Sequence, residues 1–318
     1  MIVALAGGVG GAKLAHGLYR VLPEGQLTVV VNTADDFDLF GLRICPDADT
    51  VMYTLGEVAN PATGWGVVGD TFATLEMLTR YGRDPWFKLG DRDFATHIAR
   101  TERLRAGASL TAVIGELAGA LGIRATLLPM CDEPVATHVT TPEGTLEFQE
   151  YFVHRHHEDT VTGVVFQGTD KARVTEPVRA AIAAADAIVF CPSNPIVSIG
   201  PILAVPGLRQ ALAERAAPKV AVSPIVGGQA IRGPADRMLR TLGHDVSAYG
   251  VASLYRGLID GMVVDEVDAA LAPRIEALGI RVLVAPTIMS DVGIREALAR
   301  QVLAFCADIT KWRVMSDV

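Results

Sequence analysis

Near the amino terminus, Ala6-Gly7-Gly8-Val9-Gly10-Gly11-Ala12-Lys13 sets glycines where an apolar run ends and a helical pattern begins. Glycines in that setting let backbone N–H groups approach a phosphate, and the helix N-terminus adds partial positive charge. Gly7, Gly8, Gly10, Gly11 and Lys13 are therefore candidate phosphate ligands. The run is not a Walker A loop, because the second glycine and the Ser/Thr after lysine are missing. Nor is it a clean dinucleotide fingerprint, since Lys13 stands where the third glycine belongs. A tight turn with no ligand is the competing reading.

Acids follow the second apolar run, in Asn32-Thr33-Ala34-Asp35-Asp36 and then Pro46-Asp47-Ala48-Asp49-Thr50. Carboxylates beside a phosphate loop repel a diphosphate unless a cation lies between them, and Mg²⁺ suits that arrangement. Asp36 and Asp49 are the candidate metal ligands, although Asp49 could instead cap a helix over residues 50–58. The turn Lys88-Leu89-Gly90-Asp91-Arg92-Asp93 runs into another helical pattern, where capping by Asp93 and surface charge outweigh catalysis. Ser193 and Asn194, in Cys191-Pro192-Ser193-Asn194-Pro195, offer a hydroxyl and an amide to a base or phosphate. Asn194-Pro195 is also a common turn starter. His154-Arg155-His156-His157 lacks metal-ligand spacing and reads as an exposed face.

These groups need elements to hold them. Residues 1–6 and 27–31 are short apolar runs flanking a helical stretch at 12–22, which makes a βαβ unit with a right-handed crossover. Apolar runs at 187–190, 219–223 and 281–285 alternate with helical stretches at 174–185, 207–214 and 232–242. This pattern predicts a Rossmann-like, doubly wound α/β fold with a mainly parallel sheet. Residues 60–122 look mainly helical, clearest at 95–104 and 110–121. A β-hairpin over 135–141 and 144–153 turns at Pro142-Glu143-Gly144. The chain is thus expected to be a single nucleotide-binding domain over 1–318, with a helical and β-hairpin insertion at about 60–160. Polar loops that follow strands gather at the crevice outside their carboxyl ends.

Composition narrows the functions. Half of the 318 residues are hydrophobic and 20% are charged, as in a globular protein with a large core. A formal charge of −8 without a basic stripe argues against nucleic acid. The four cysteines are scattered and form no C-x-x-C pair, which disfavours zinc and disulfides and fits a reducing cytoplasm. No apolar run is long enough for a membrane span, and the amino terminus is no signal peptide.

Taken in order, AGGVGGAKL, VVNTADD, PDADTVMYTLGE, WGVVGDTF, KLGDRDFATH, LLPMCDEPVATHV, FQEYFV, PSNPIVSIGPIL and VSPIVGGQAIRGPADRML span about residues 2–260. Together they closely resemble the 2-phospho-L-lactate transferase family. Cys191 departs from the glycine frequent before the PSNP motif, and Thr287-Ile288-Met289-Ser290-Asp291 resembles a late loop of the family. The resemblance implies a Rossmann-type, Mg²⁺-using, homodimeric enzyme of coenzyme F-420 biosynthesis. Such an enzyme moves a phospholactyl, phosphoenolpyruvyl or phosphoglyceryl group from its guanosine diphosphate conjugate to the deazaflavin Fo, releasing GMP. By motif, the 7–11 loop with Ser193, Asn194 and Pro195 would hold the guanosine diphosphate portion. Asp49 and Lys88 fall at acceptor positions, and Asp35 and Asp36 near the metal. The acceptor's ribityl hydroxyl would attack the phosphorus nearer the acid, with Asp36 and Asp49 as candidate catalytic acids, one of them taking the proton. Two alternatives remain: a nucleotide-sugar-binding regulator of the same fold, and a nicotinamide-dependent oxidoreductase, against which Lys13 weighs.

Overall fold

The computed structural model describes residues 1–316. Seven short strands build its centre: β1 (Ile2–Ala6), β2 (Leu27–Val31), β3 (Thr126–Pro129), β4 (Ala187–Phe190), β5 (Lys219–Val222), β6 (Gly261–Val264) and β7 (Arg281–Val284). They lie in the order β7-β6-β5-β4-β1-β2-β3, and every neighbouring pair is parallel. Ile2 faces Leu27 on one side and Ala187 on the other. This is the doubly wound arrangement that the sequence predicts, reversing direction between β1 and β4.

The inner strands β1, β2, β4, β5 and β6 are almost wholly apolar because both faces of the sheet are covered there. Side chains alternate between two cores. Ile2, Ala4, Ala6, Val29 and Val31 join one, under α1 (Gly8–Val21), α2 (Pro46–Leu55) and the long helix Val292–Ser316. Val3, Leu5, Val30, Ile188 and Phe190 join the other, under the helices at Glu176–Ala184, Ile199–Ala204 and Ala248–Leu254. All four cysteines are buried and unpaired. Among the described residues, no helix is long and apolar enough to cross a membrane.

The stretch 60–160, expected as one insertion, is interrupted by the main sheet. Thr126–Pro129 pairs with β2, so the chain leaves the core twice. The first excursion holds a hairpin of Phe37–Leu39 and Leu42–Ile44, then α2, α3 (Ala73–Arg80), α4 (Asp91–Arg105) and α5 (Leu110–Ala120). The second is a three-stranded antiparallel sheet, with Ala136–Thr141 between Gly144–Glu147 and Gly163–Gln167. The expected hairpin at Pro142-Glu143 is present, but its second strand stops at Glu147 and a π-helical turn, Glu150–His154, follows. The glycine run also differs from expectation. It is the first turn of α1, which starts at Gly8 with φ +62°, a left-handed value open to glycine.

Candidate active site

A cavity of about 850 Å³ opens over the carboxyl ends of the sheet. Gly7, Gly8, Val9, Gly10 and Lys13 enter it after β1, Asp35 after β2, Ser193 and Asn194 after β4, Ser223 after β5, and Thr287 after β7. Two loops meet where the strand order reverses. Ser193 Oγ accepts from Gly7 N at 3.0 Å and donates to Gly7 O at 2.8 Å. A Cβ on Gly10 would lie 2.4 Å from Pro192 O, and one on Gly11 2.3 Å from Ser193 Oγ. The glycines are thus needed for loop contact, and they bring the start of α1 to the cavity, with Ser193 Oγ on Gly7 N and the Asp47 carboxylate on the Gly8 backbone. Gly11 and Pro195 lie behind the wall and do not line it. Asn194 does line it, but its Oδ1 is used by Ile196 N at 2.9 Å and Val197 N at 3.3 Å, the turn role weighed for it above. Lys13 Nζ donates to Met289 O at 2.9 Å. Burial, then Arg295 and Arg232, lower its pKa below the usual lysine value.

The acids divide in a way the sequence did not reveal. Asp35 faces the cavity, whereas Asp36 is fully buried behind the wall with Arg43 at 3.8 Å. Burial raises the pKa of Asp35 well above the carboxylate range, and Asp47 adds to that shift. Its Oδ1 is buried without a hydrogen-bond partner. Asp47 accepts from Asn32 Nδ2 at 2.9 Å, and burial lifts it to about 6. Asp36, with neither carboxylate oxygen hydrogen-bonded, is lifted by burial to about 7 against the pull of Arg43. Asp49 sits inside the first turn of α2, whose N-cap is Cys45, so it is not the cap considered above. Both its oxygens accept from Arg100: Oδ2 from Nη1 at 3.0 Å, and Oδ1 from Nη2. Asp36 and Asp49 therefore do not meet at the cavity as a free metal-binding pair. One is behind the wall, and the other is already paired.

Arg100 belongs to a row on α4. Asp93, His97 and Arg100 recur at spacings of four and three residues, one face of a helix, and all are buried. Tyr53 Oη donates to Asp93 Oδ1 at 2.7 Å, and His97 Nε2 lies 3.3 Å from the same oxygen. Arg100 Nη1 approaches His97 Nδ1 at 3.2 Å. Since a guanidinium only donates, Nδ1 accepts and the ring proton sits on Nε2. Lys88, Trp86 and Phe87 precede α4 and line the same cavity, facing Phe148 and Phe152 of the second excursion. Trp86 stacks on His154 at 5.3 Å, while His156 and His157 also border the cavity, so the histidine run is not merely an outer face. Arg232 donates to Thr63 O, tying two loops together beside the cavity.

Asp93 does not cap α4; Asp70 does, accepting from Arg92 N at 2.8 Å and Asp93 N at 3.1 Å. Asp91 returns the service to α3, accepting from Ala73 N at 3.1 Å and Thr74 N at 2.9 Å. Asp70→Ala is expected to cost about 1 kcal/mol in urea unfolding. An unchanged midpoint would show that α4 does not depend on this cap. Tyr53, His97 and Arg100 carried no assigned role in the sequence reading. The one available signal was the Asp93, His97, Arg100 spacing.

A glycine-rich loop at the switch point thus faces a group of carboxylates across one cavity in an α/β fold. Residues 2–285 match the family model described as 2-phospho-L-lactate transferase CofD. The phosphoenolpyruvate transferase of Streptomyces griseus is 47% identical over 314 residues, covering 97% of this chain and 99% of that protein. The 2-phospho-L-lactate transferase of Methanosarcina mazei is 41% identical over 302 residues, covering 95% and 99%. A UPF0052-family protein from Bacillus halodurans shares the fold, with a TM-score of 0.62 at 17% identity over 95% of this chain and 98% of that one. The chain belongs to the 2-phospho-L-lactate transferase CofD family, and it is a transferase.

Proposed function

We propose that this chain transfers an enolpyruvyl phosphate group from its guanosine diphosphate conjugate to the ribityl hydroxyl of the deazaflavin Fo, with GMP as the second product. The observation that carries this reading is one cavity with two unlike walls: the glycine-rich start of α1 with Lys13, and an aromatic and carboxylate wall built by Trp86, Phe87, Asp49 and Asp93. The first suits a diphosphate and the second a flat, hydroxylated acceptor. The enolpyruvyl group is favoured over lactyl because relatives named phosphoenolpyruvate transferase reach 47% identity, against 41% for those named 2-phospho-L-lactate transferase. The same names weigh against a nucleotide-sugar regulator.

Mg²⁺ fits the acids beside the cradle. Asp35 Oδ1 is buried without a partner, and burial raises the pKa of both Asp35 and Asp47, so a cation would relieve both. These two would hold it, and when bound it would neutralise the diphosphate oxygens. The chain's own groups do the rest. The N–H groups at the start of α1 and Lys13 would hold the departing phosphate, and Asp49 and Lys88 would fix the acceptor. Displacement at phosphorus depends mainly on such alignment and charge balance.

Purified protein, Mg²⁺ and Fo, mixed separately with the enolpyruvyl, lactyl and glyceryl donors, tests this by mass spectrometry. GMP and the matching Fo conjugate are expected fastest with the enolpyruvyl donor, and EDTA is expected to stop turnover. No conjugate from any donor would overturn the reading.

A further inference from the structure

Two carboxylates stand side by side on the acceptor wall. Ligand atoms of Asp49, Asp93 and His97 all lie within 4.8 Å of one another. Such a cluster resembles a metal site, but the Arg100 guanidinium is already bonded into it and supplies its positive charge. The two acids are held differently. Asp49 gives both oxygens to Arg100, which has no exposed surface. That two-pronged contact ties the Asp49 carboxylate to a fully buried cation.

Asp93 carries no such tie. The Tyr53 hydroxyl donates to its Oδ1 at 2.7 Å, and His97 Nε2 lies 3.3 Å from the same oxygen without completing a hydrogen bond. Arg100 Nη1 lies 3.2 Å from the other ring nitrogen of His97, Nδ1. Oδ2 takes no hydrogen bond among the described residues, and Asp93 lines the cavity. An oriented carboxylate with one open oxygen facing the acceptor's space has the geometry of a general base.

We infer that Asp93, and not Asp49, accepts the proton of the attacking hydroxyl, while Asp49, locked by Arg100, binds the acceptor. The inference rests on the transfer proposed above. In the step, the acceptor oxygen forms a bond to the phosphorus nearer the acid, and the bond from that phosphorus to the GMP oxygen breaks. The electron pair leaves with GMP. The hydroxyl proton moves to Asp93 Oδ2 and later passes to water. Tyr53 is the positioning residue for Asp93.

The test begins with wild-type turnover of Fo; failure there counts against the proposed function and leaves Asp93 out of question. With an active wild type, Asp93→Asn is expected to lower kcat by about 10²–10⁴-fold while the acceptor and donor KM stay within about threefold. Asp49→Asn is expected to act chiefly on the acceptor KM. Added formate should partly restore Asp93→Ala, as a small carboxylate entering the vacated space. Tyr53→Phe, which keeps the ring, should lower kcat by about tenfold and carries the test if Asp93→Asn does not fold. An Asp93→Asn enzyme with kcat within about threefold of wild type would overturn the inference. So would recovery of its full kcat by excess divalent metal, which would make the cluster a metal site.

Discussion

Arg100→Met is expected to destabilise the fold by about 3–5 kcal/mol, read as a shift in the urea midpoint. What the change leaves behind sets the cost. Asp49 is buried, and its two carboxylate oxygens find their donors on Arg100. Methionine fills similar space but leaves a buried carboxylate alone between α2 and α4. The double variant Asp49→Asn with Arg100→Met should recover most of the loss, because a neutral pair has no charge to strand. Arg100→Lys keeps the charge but cannot reproduce the two-pronged contact, so it should fold better and still misplace Asp49. A midpoint for Arg100→Met within experimental scatter of wild type would mean that water reaches Asp49 and the pair is not structural.

The second large effect is expected at the cradle. Gly10→Ala would set a methyl group 2.4 Å from the Pro192 carbonyl oxygen. That oxygen belongs to the backbone and cannot rotate away, so α1 and the loop after β4 must part. Displacing the α1 N-terminus by even about 1 Å is expected to cost about 10²-fold in kcat/KM for the donor. Acceptor binding, on the far wall, should change little. Titration with the guanosine diphosphate donor and separately with Fo distinguishes these effects. Equal loss for both ligands would point to a general collapse of the site.

The parts of the fold that were legible in the sequence have a clear physical origin. β1, β2 and β4 are short, almost wholly apolar and buried on both faces, which leaves no room for alternation, and β5 and β7 carry apolar runs behind one leading charge. β3 and β6 were not recognised. Thr126-Leu127-Leu128-Pro129 is brief and ends in proline, and Gly261-Met262-Val263-Val264 begins with glycine, both weak strand signals. Missing β3 is what merged two excursions into one insertion. At the site, the loops after strands could be found because ligands in such folds lie at strand carboxyl ends. The direction of each side chain could not. Asp35 and Asp36 are adjacent in sequence, yet only one faces the cavity. Arg100 looks like any of the arginines of α4, and its partner Asp49 lies 51 residues earlier. Only packing α2 against α4 reveals that one of them is a buried counter-ion.

The reversal between β1 and β4 also sets a schedule for the growing chain. Ile2 pairs with Ala187, so β1 must wait for the 185 residues that follow Ile2 before its second neighbour exists. At typical synthesis rates of about 5–20 residues per second, that delay is on the order of 10–30 s. Throughout it β1 presents an unpaired edge, the kind of surface on which nascent chains aggregate or recruit chaperones. The Gly7–Ser193 contact spans the same seam. The glycine loop and its Ser193 partner are therefore brought together by the very event that closes the sheet.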